Sequence, residues 1–459
     1  MLAEPLMRLT SVSFGAFLLL PLLVHCSGDA DKATPDTGAA GTNAGLGGSG
    51  AAGAAGTAGG MAGSPAGGET GASGQAGSPG GCASHAECPV ETPFCDPGST
   101  QCSPAPEGGA IGWGDGSPES VTLTPIYEPT FKRQATDLAF HPTRPGELWV
   151  LHREFFKDAP CTESQSTGCA SLDGSVSILS GVGTPEQKAV VRKDPNAWHF
   201  MRRPPAMAFG DNDTFATCGE FRTGNFTDDT ADYIGPTLWS SDPAKFAKQP
   251  PGKNGSHLDM IHTSPFAVGI AHEKDNVYWV FNGKIGSLDR VDFKEDHGPG
   301  NEDHSDGEVL RYGQGAFKRV PETPGHLVFD AVTGTVLVAD TGNQRIARLD
   351  PSTATTGSSF PVYEALAVRK KMNGATITDV VPPGLLEAPS GLELAGDVLY
   401  VSDALTSRIH AFKADGTPLR SLDTGLPPGS LAGLALSPEG SLFFVEVLTS
   451  KVFRIDPKK

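Results

Sequence analysis

Side chains able to do chemistry are unevenly placed along this sequence. Two stretches concentrate imidazoles, NAWHFMRRPP at 196–205 and SHLDMIHTSP at 256–265, and a further histidine stands in PGHLVFDA as His326. Neutral imidazole is a zinc ligand, and three of them can hold the ion while a fourth position stays open for water. His199, His262 and His326 are therefore the candidate metal ligands. Taken singly, each also suits a packed or hydrogen-bonded core histidine. A second candidate cation site lies in DFKEDHGPGNEDHSDGEV at 292–309. Asp303, Asp306 and Glu308 there offer the hard oxygen ligands that calcium takes. The spacing is not that of an EF-hand, and a solvated acidic loop is the plainer reading. Neither GxSxG nor HExxH occurs, so no nucleophile–base motif names a catalytic residue.

Cysteine supplies a different chemistry. Eight cysteines suit an oxidising compartment. Cys82, Cys88, Cys95 and Cys102 are evenly spaced and predict two disulfides, with three connectivities open, in a small module at 82–105. Cys161 and Cys169 flank a short polar loop that a disulfide would close, and Cys218 is left over. The N-terminal apolar run Phe14–Val24 has the length of a signal-peptide core. It ends in LLVHCSG, which resembles a bacterial lipobox with Cys26 as the lipidated residue, although His25 stands where a small residue is usual. The resemblance implies a signal segment over 1–26 and a protein at the outer membrane or cell surface. Cleavage without lipidation would leave it periplasmic or extracellular. Residues 27–81 are nearly all Gly, Ala, Ser, Thr and Pro. They lack the apolar surface to offset chain entropy and predict a disordered linker. Such a tether ahead of a Cys knot looks like those of myxobacterial surface lipoproteins.

The elements that must position the histidines begin near residue 119. Short β-branched and aromatic runs alternate there with Gly, Pro, Asp and Asn turns, an all-β pattern. VLVADTGNQRIARLD at 336–350 aligns without gaps to LYVSDALTSRIHAFK at 399–413 and LFFVEVLTSKVFRID at 442–456. YWVFNGKIGSLDRVD at 278–292 is a looser copy, and two divergent ones start at Thr136 and Pro205. Six copies predict a six-bladed β-propeller over 119–459. The last copy has material for three strands only, so SVTLTPIYE at 120–128 should supply the fourth and close the ring. Calling the strands of a blade a to d from the channel outward, the b–c turns and the blade connections share one face. That face should carry His199, His262 and His326. The 292–309 loop, between strands c and d, should lie on the other. The repeated acids Asp340, Asp403 and Glu446 precede a basic residue by five and read as turn staples rather than a site.

The VAD–xxN–R–I arrangement at 336–349 resembles NHL-repeat propellers, an architecture that hosts binders, lyases and lactonases. With a net charge of −18, nucleic acid and anionic membrane surfaces are excluded as partners, and the lipid alone would hold the protein to a membrane. A monomeric binding module presenting its loop-rich face to a protein, glycan or small ligand is the first functional expectation. The alternative is a metal-dependent enzyme. Peptidyl-amidoglycolate lyases are similar in outline and imply zinc on channel histidines. Their Pro-His-x-Leu becomes Pro324-Gly325-His326-Leu327 here, one position later. Gluconolactonase-type propellers imply calcium held by a Glu at the first blade, where this chain has Thr136-Asp137.

Overall fold

The computed structural model describes residues 82, 87–88, 92, 94–96, 99–130, 133–154, 173–222, 234–361, 363–364 and 366–458. Cys26 with its signal segment, the 27–81 linker and the Cys161–Cys169 loop lie outside the described residues, as do most of the insertions at 153–174 and 219–234.

Six antiparallel blades form the ring. Their strands a to d are, in blade 1, Arg133–Phe140, Glu147–Glu154, Gly174–Ser180 and Lys188–Arg192; in blade 2, Met207–Phe209, Thr214–Thr217, Thr237–Ser240 and His257–Met260. Blade 3 has Ile270–Lys274, Val277–Asn282, Ser287–Asp292 and Glu308–Tyr312; blade 4 has Leu327–Asp330, Thr335–Asp340, Arg345–Asp350 and Thr376–Val381. Blade 5 has Pro389–Ala395, Val398–Asp403, Arg408–Lys413 and Pro418–Asp423. Blade 6 takes Leu431–Leu436, Leu442–Glu446 and Lys451–Pro457 from the C-terminus and Val121–Tyr127 from the start of the ring. The expected closure is therefore present: Val121–Tyr127 lies antiparallel on the last strand, with Leu123 opposite Ile455. Without it a strand edge would stand open.

The alternation of apolar residues builds the core between blades rather than within them. Each interface between neighbours has its own buried cluster. Trp149, Phe215 and Trp239 join blades 1 and 2, Val280 and Leu258 join 2 and 3, and Leu138 and Phe443 join 1 and 6. Burying one such side chain fully contributes roughly 1.5–3 kcal/mol. The b-strand acids serve the turns, as expected. Asp403 Oδ1 accepts from the amides of Leu405 and Thr406, both at 3.1 Å, and Glu446 accepts from those of Leu448 and Thr449, both at 2.8 Å. Only in blade 4 does the acid also meet the cation five residues on, Arg345 at 2.8 Å; Arg408 turns to Asp423 and Lys451 to Glu128.

One departure from the repeat reshapes the rim. Between strands c and d of blade 4 the chain makes a hairpin, Thr355–Ser359 with Val368–Asn373. It runs parallel to strand d of blade 3 and widens that sheet to six strands. Nothing in the repeat pattern foretells it. In the small module the disulfides are Cys82–Cys95 and Cys88–Cys102, which settles the connectivity and removes these thiols from metal binding. Cys218 is free and buried, and burial pushes its thiol pKa well up, so it is poorly nucleophilic.

Candidate metal centre

Strand d of blade 2 carries His257 and Asp259 two residues apart, so both project from one face of the strand. Neither has any exposed surface. His304 Nδ1 donates to Asp259 Oδ1 at 2.7 Å, while Asp259 Oδ2 has no hydrogen-bond partner among the described residues. His297 Nε2 donates to Asp306 Oδ1 at 2.9 Å and lies 3.9 Å from Asp259 Oδ2. Asp259, His297 and Asp306 can bring one ligand atom each to within 4.8 Å of one another.

The imidazoles continue outward from this trio. The His304 ring centroid is 5.5 Å from that of His257 and 6.3 Å from that of His262, and His262 is 6.4 Å from His199. Two imidazoles on one tetrahedral zinc, with Zn–N of about 2.0–2.1 Å, have centroids about 5 Å apart, so His262 stands too far from His304 and His199 to share an ion with them as placed. His262 Nδ1 donates to Glu364 Oε1 at 2.7 Å, and the same oxygen accepts from the His262 amide at 2.8 Å. The other oxygen of Glu364 accepts from Arg369. His262 and His304 are thus both held by a carboxylate on Nδ1. This arrangement fixes the ring, makes it more basic and turns Nε2 to a metal. Phe200 stacks on His257 at 3.7 Å. Five of the protein's 12 histidines, at 199, 257, 262, 297 and 304, meet in this one region.

The electrostatics favour a bound cation. Burial pushes the Asp259 carboxyl up to about 6, against the opposing pull of its bond from His304. Burial takes His257 down to about 3, helped by the neighbouring His304 and His199, while the backbone of Asn254 and Asn301 pulls the other way. His297 is raised: burial works against its charge, but the Asp306 bond and the Asp259 carboxylate outweigh it. Glu364 is lowered although burial opposes this, because His262 and Arg369 stabilise its charge. A buried carboxylate oxygen without a hydrogen-bond partner among the described residues, as in Asp259, points to an ion or water beside it. The three groups whose ligand atoms converge are two carboxylates and one imidazole, a set open to more than one divalent cation.

The site corrects the expected division of faces. His304, from the 292–309 loop, sits against His262, although strand order places that loop on the opposite side. Adjacent strands in a twisted sheet rotate by roughly 20–25°, so strand d has turned by about 60–75° from strand a. At the rim a strand runs around the ring more than along its axis, and the two faces meet there. The loop is laced to blade 2 by Gly300, whose amide donates to the His257 carbonyl at 2.7 Å. Gly300 has φ 73°, and a Cβ there would stand 2.6 Å from the Gly255 carbonyl oxygen, so only glycine fits.

The sequence candidates divide accordingly. His199 and His262 come together, and His326 is not among their neighbours. It lies in the central channel, Nδ1 3.6 Å from Asp137 Oδ1 and Nε2 3.4 Å from the Pro205 carbonyl. The proposed oxygen trio also separates. Asp303 accepts from its own neighbour Ser305, Asp306 turns to His297, and Glu308 opens strand d of blade 3. His257, Asp259, His297, His304 and Glu364 were not among the candidates. The signal for two of them is the H-x-D-x-x-H spacing of 257–262 on a strand; for Glu364 there is none.

No family model matches this chain, and no curated protein matches it. Among solved structures it is similar to a streptogramin B lyase at 10% identity over 74% of this chain and 98% of that one, TM-score 0.39. It is also similar to an auxiliary nutrient binding protein from Bacteroides ovatus ATCC 8483, at 8% identity over 74% and 77%, TM-score 0.45. A third likeness is to a nidogen/laminin complex, at 12% identity over 69% and 97%, TM-score 0.42. The fold itself rests on the strand pairings of the six blades, and it is compatible with a surface that binds a ligand or a protein.

Proposed function

We propose that this protein is a metal-dependent propeller of NHL-like architecture. It holds a divalent transition-metal ion, zinc first, at the rim between blades 2 and 3, and works outside the cytoplasm on a lipid anchor at Cys26. The observation that carries the metal reading is Asp259: a carboxylate with no exposure and one oxygen without a hydrogen-bond partner among the described residues, beside His304, which it orients, and His297, which Asp306 holds. A buried carboxylate without a cation is costly, and a dication removes the penalty. A face built only to dock a protein or glycan has no need of such a cluster. Asp259, His297 and Asp306, whose ligand atoms lie within 4.8 Å of one another, are the ligands we assign first, with His304 held on Asp259 beside them. The ion would polarise a bound oxygen or lower the pKa of a bound water. A cavity opening at His262 favours action on a small molecule over a purely structural ion.

Elemental analysis of the purified full-length chain tests this. About one ion per chain is expected, lost in His297→Ala and Asp259→Ala. Protein that melts cooperatively and carries no stoichiometric metal would refute it.

A further inference from the structure

Beside the metal centre lies a cavity of about 210 Å³. Its walls include His262, Ser264, Lys284, Arg311, Phe360 and Arg369. Three cationic side chains around one small cavity are unexpected in a chain of net charge −18. Arg311 and Arg369 come from adjacent strands, Glu308–Tyr312 and Val368–Asn373, of the widened third sheet. Arg311 is held bidentately by Asp289, both contacts at 2.8 Å, and its guanidinium carbon lies 4.1 Å from the centre of the Phe360 ring. Arg369 is 3% exposed and gives Nη2 to Glu364. Its Nη1 is buried with no hydrogen-bond partner among the described residues.

A buried guanidinium N–H without an acceptor costs more than it contributes, unless something supplies the acceptor. Arginine matches the planar oxygens of carboxylate and phosphate. Liquid water takes about 30 Å³ per molecule, so the cavity has room for roughly seven waters. That suits a small acid and not a buried peptide or glycan chain.

We infer that this cavity binds a small organic anion, whose carboxylate or phosphate oxygens accept from Arg369 with Lys284 adding charge, and whose other end faces the metal centre past His262. This deepens the metal reading and rests on it only for that last contact. His262 joins the two sites, because it lines the cavity and also belongs to the imidazole cluster.

The test is calorimetric titration of full-length protein with succinate and with inorganic phosphate, after chelation and again after reloading with zinc. Saturable binding of at least one anion is expected in both forms, and the preferred anion separates carboxylate from phosphate recognition. Binding should be tighter with zinc. Arg369→Gln should weaken it at least tenfold. Should that variant fail to melt cooperatively, Lys284→Ala, at an exposed position, should still weaken it severalfold. Saturation by neither anion, or unchanged affinity in a folded variant at either position, would overturn the pocket. Equal affinity with and without zinc would overturn the contact with the metal. Anion binding in a protein that takes up no metal would remove the metal reading and leave the pocket standing.

Discussion

Histidine occurs in two settings in this propeller, the central channel and the rim between blades 2 and 3. In the channel, His326 meets Asp137, whose two oxygens accept from the Leu138 and Met207 amides, each at 2.8 Å. Those acceptors are already used, and the backbone of neighbouring blades provides the partners. At the rim, Asp259 keeps an oxygen with no hydrogen-bond partner among the described residues. The partners there are side chains delivered by two irregular segments, the 293–307 loop and the hairpin ahead of blade 4's last strand. Repeat geometry brings backbone groups into the channel and satisfies them. Departures from the repeat gather side chains around a buried carboxylate oxygen that nothing among the described residues satisfies, and there a ligand becomes the missing partner.

Both settings depend on ring closure, so the largest effect should come from removing Val121–Tyr127. The deletion exposes strand edges on Lys451–Pro457 and uncovers the blade 5–6 cluster that includes Val121. Loss of a cooperative melt is expected. A deletion melting like the parent chain would show that the latch is dispensable.

Single substitutions contrast the two settings directly. His297→Ala should empty the metal site, and Asp259→Asn should weaken metal binding by about tenfold or more. His326→Ala should leave metal content unchanged. Metal lost from the His326 variant and kept in the His297 variant would reverse the two settings.

Acid should separate them further. Asp259 titrates near 6 and His257 near 3 in the metal-free protein. Below pH 6 a metal must displace the Asp259 proton, so affinity should fall by up to about tenfold per pH unit as the pH drops. Metal competition assays at pH 5, 6 and 7 on the parent chain and on Asp259→Asn would show the same profile in both if Asp259 takes no part.

The smallest effect belongs to the channel. Burial raises Glu393, which lines it beside Asp137 and His326, to about 8. Between the ordinary carboxylate range and that value the folded chain keeps a proton that the unfolded chain releases. The stability this contributes is therefore present at low pH and lost as pH rises through 8. Glu393→Gln should narrow the difference in melting temperature between pH 5.5 and 8.5 by a few degrees; an unaltered difference would place the titration elsewhere.

The fold was largely legible because it repeats. VLVADTGNQRIARLD and its kin state strand, turn and strand, and the missing fourth strand of the last copy identifies the latch. The site was legible in part. SHLDMIHTSP points to His262, and the same stretch holds His257 and Asp259 at strand spacing. His304 was set apart by a topological rule that holds for inner strands and is lost at the rim, where twist merges the two faces. Glu364 sits in SSFPVYEALAVRKK, which has no place in the repeat, and its approach to His262 depends on a hairpin that joins another blade's sheet. Long-range pairing of that kind leaves no local periodicity to read.

Anomalous diffraction above the zinc edge, from crystals of the full-length protein grown with zinc, tests the central claim most directly. One strong peak is expected at the blade 2–3 rim, within coordinating distance of His297 and Asp259. A peak at His326 in the channel, a peak on Asp303 and Glu308 alone, or no ordered peak at the rim would contradict it.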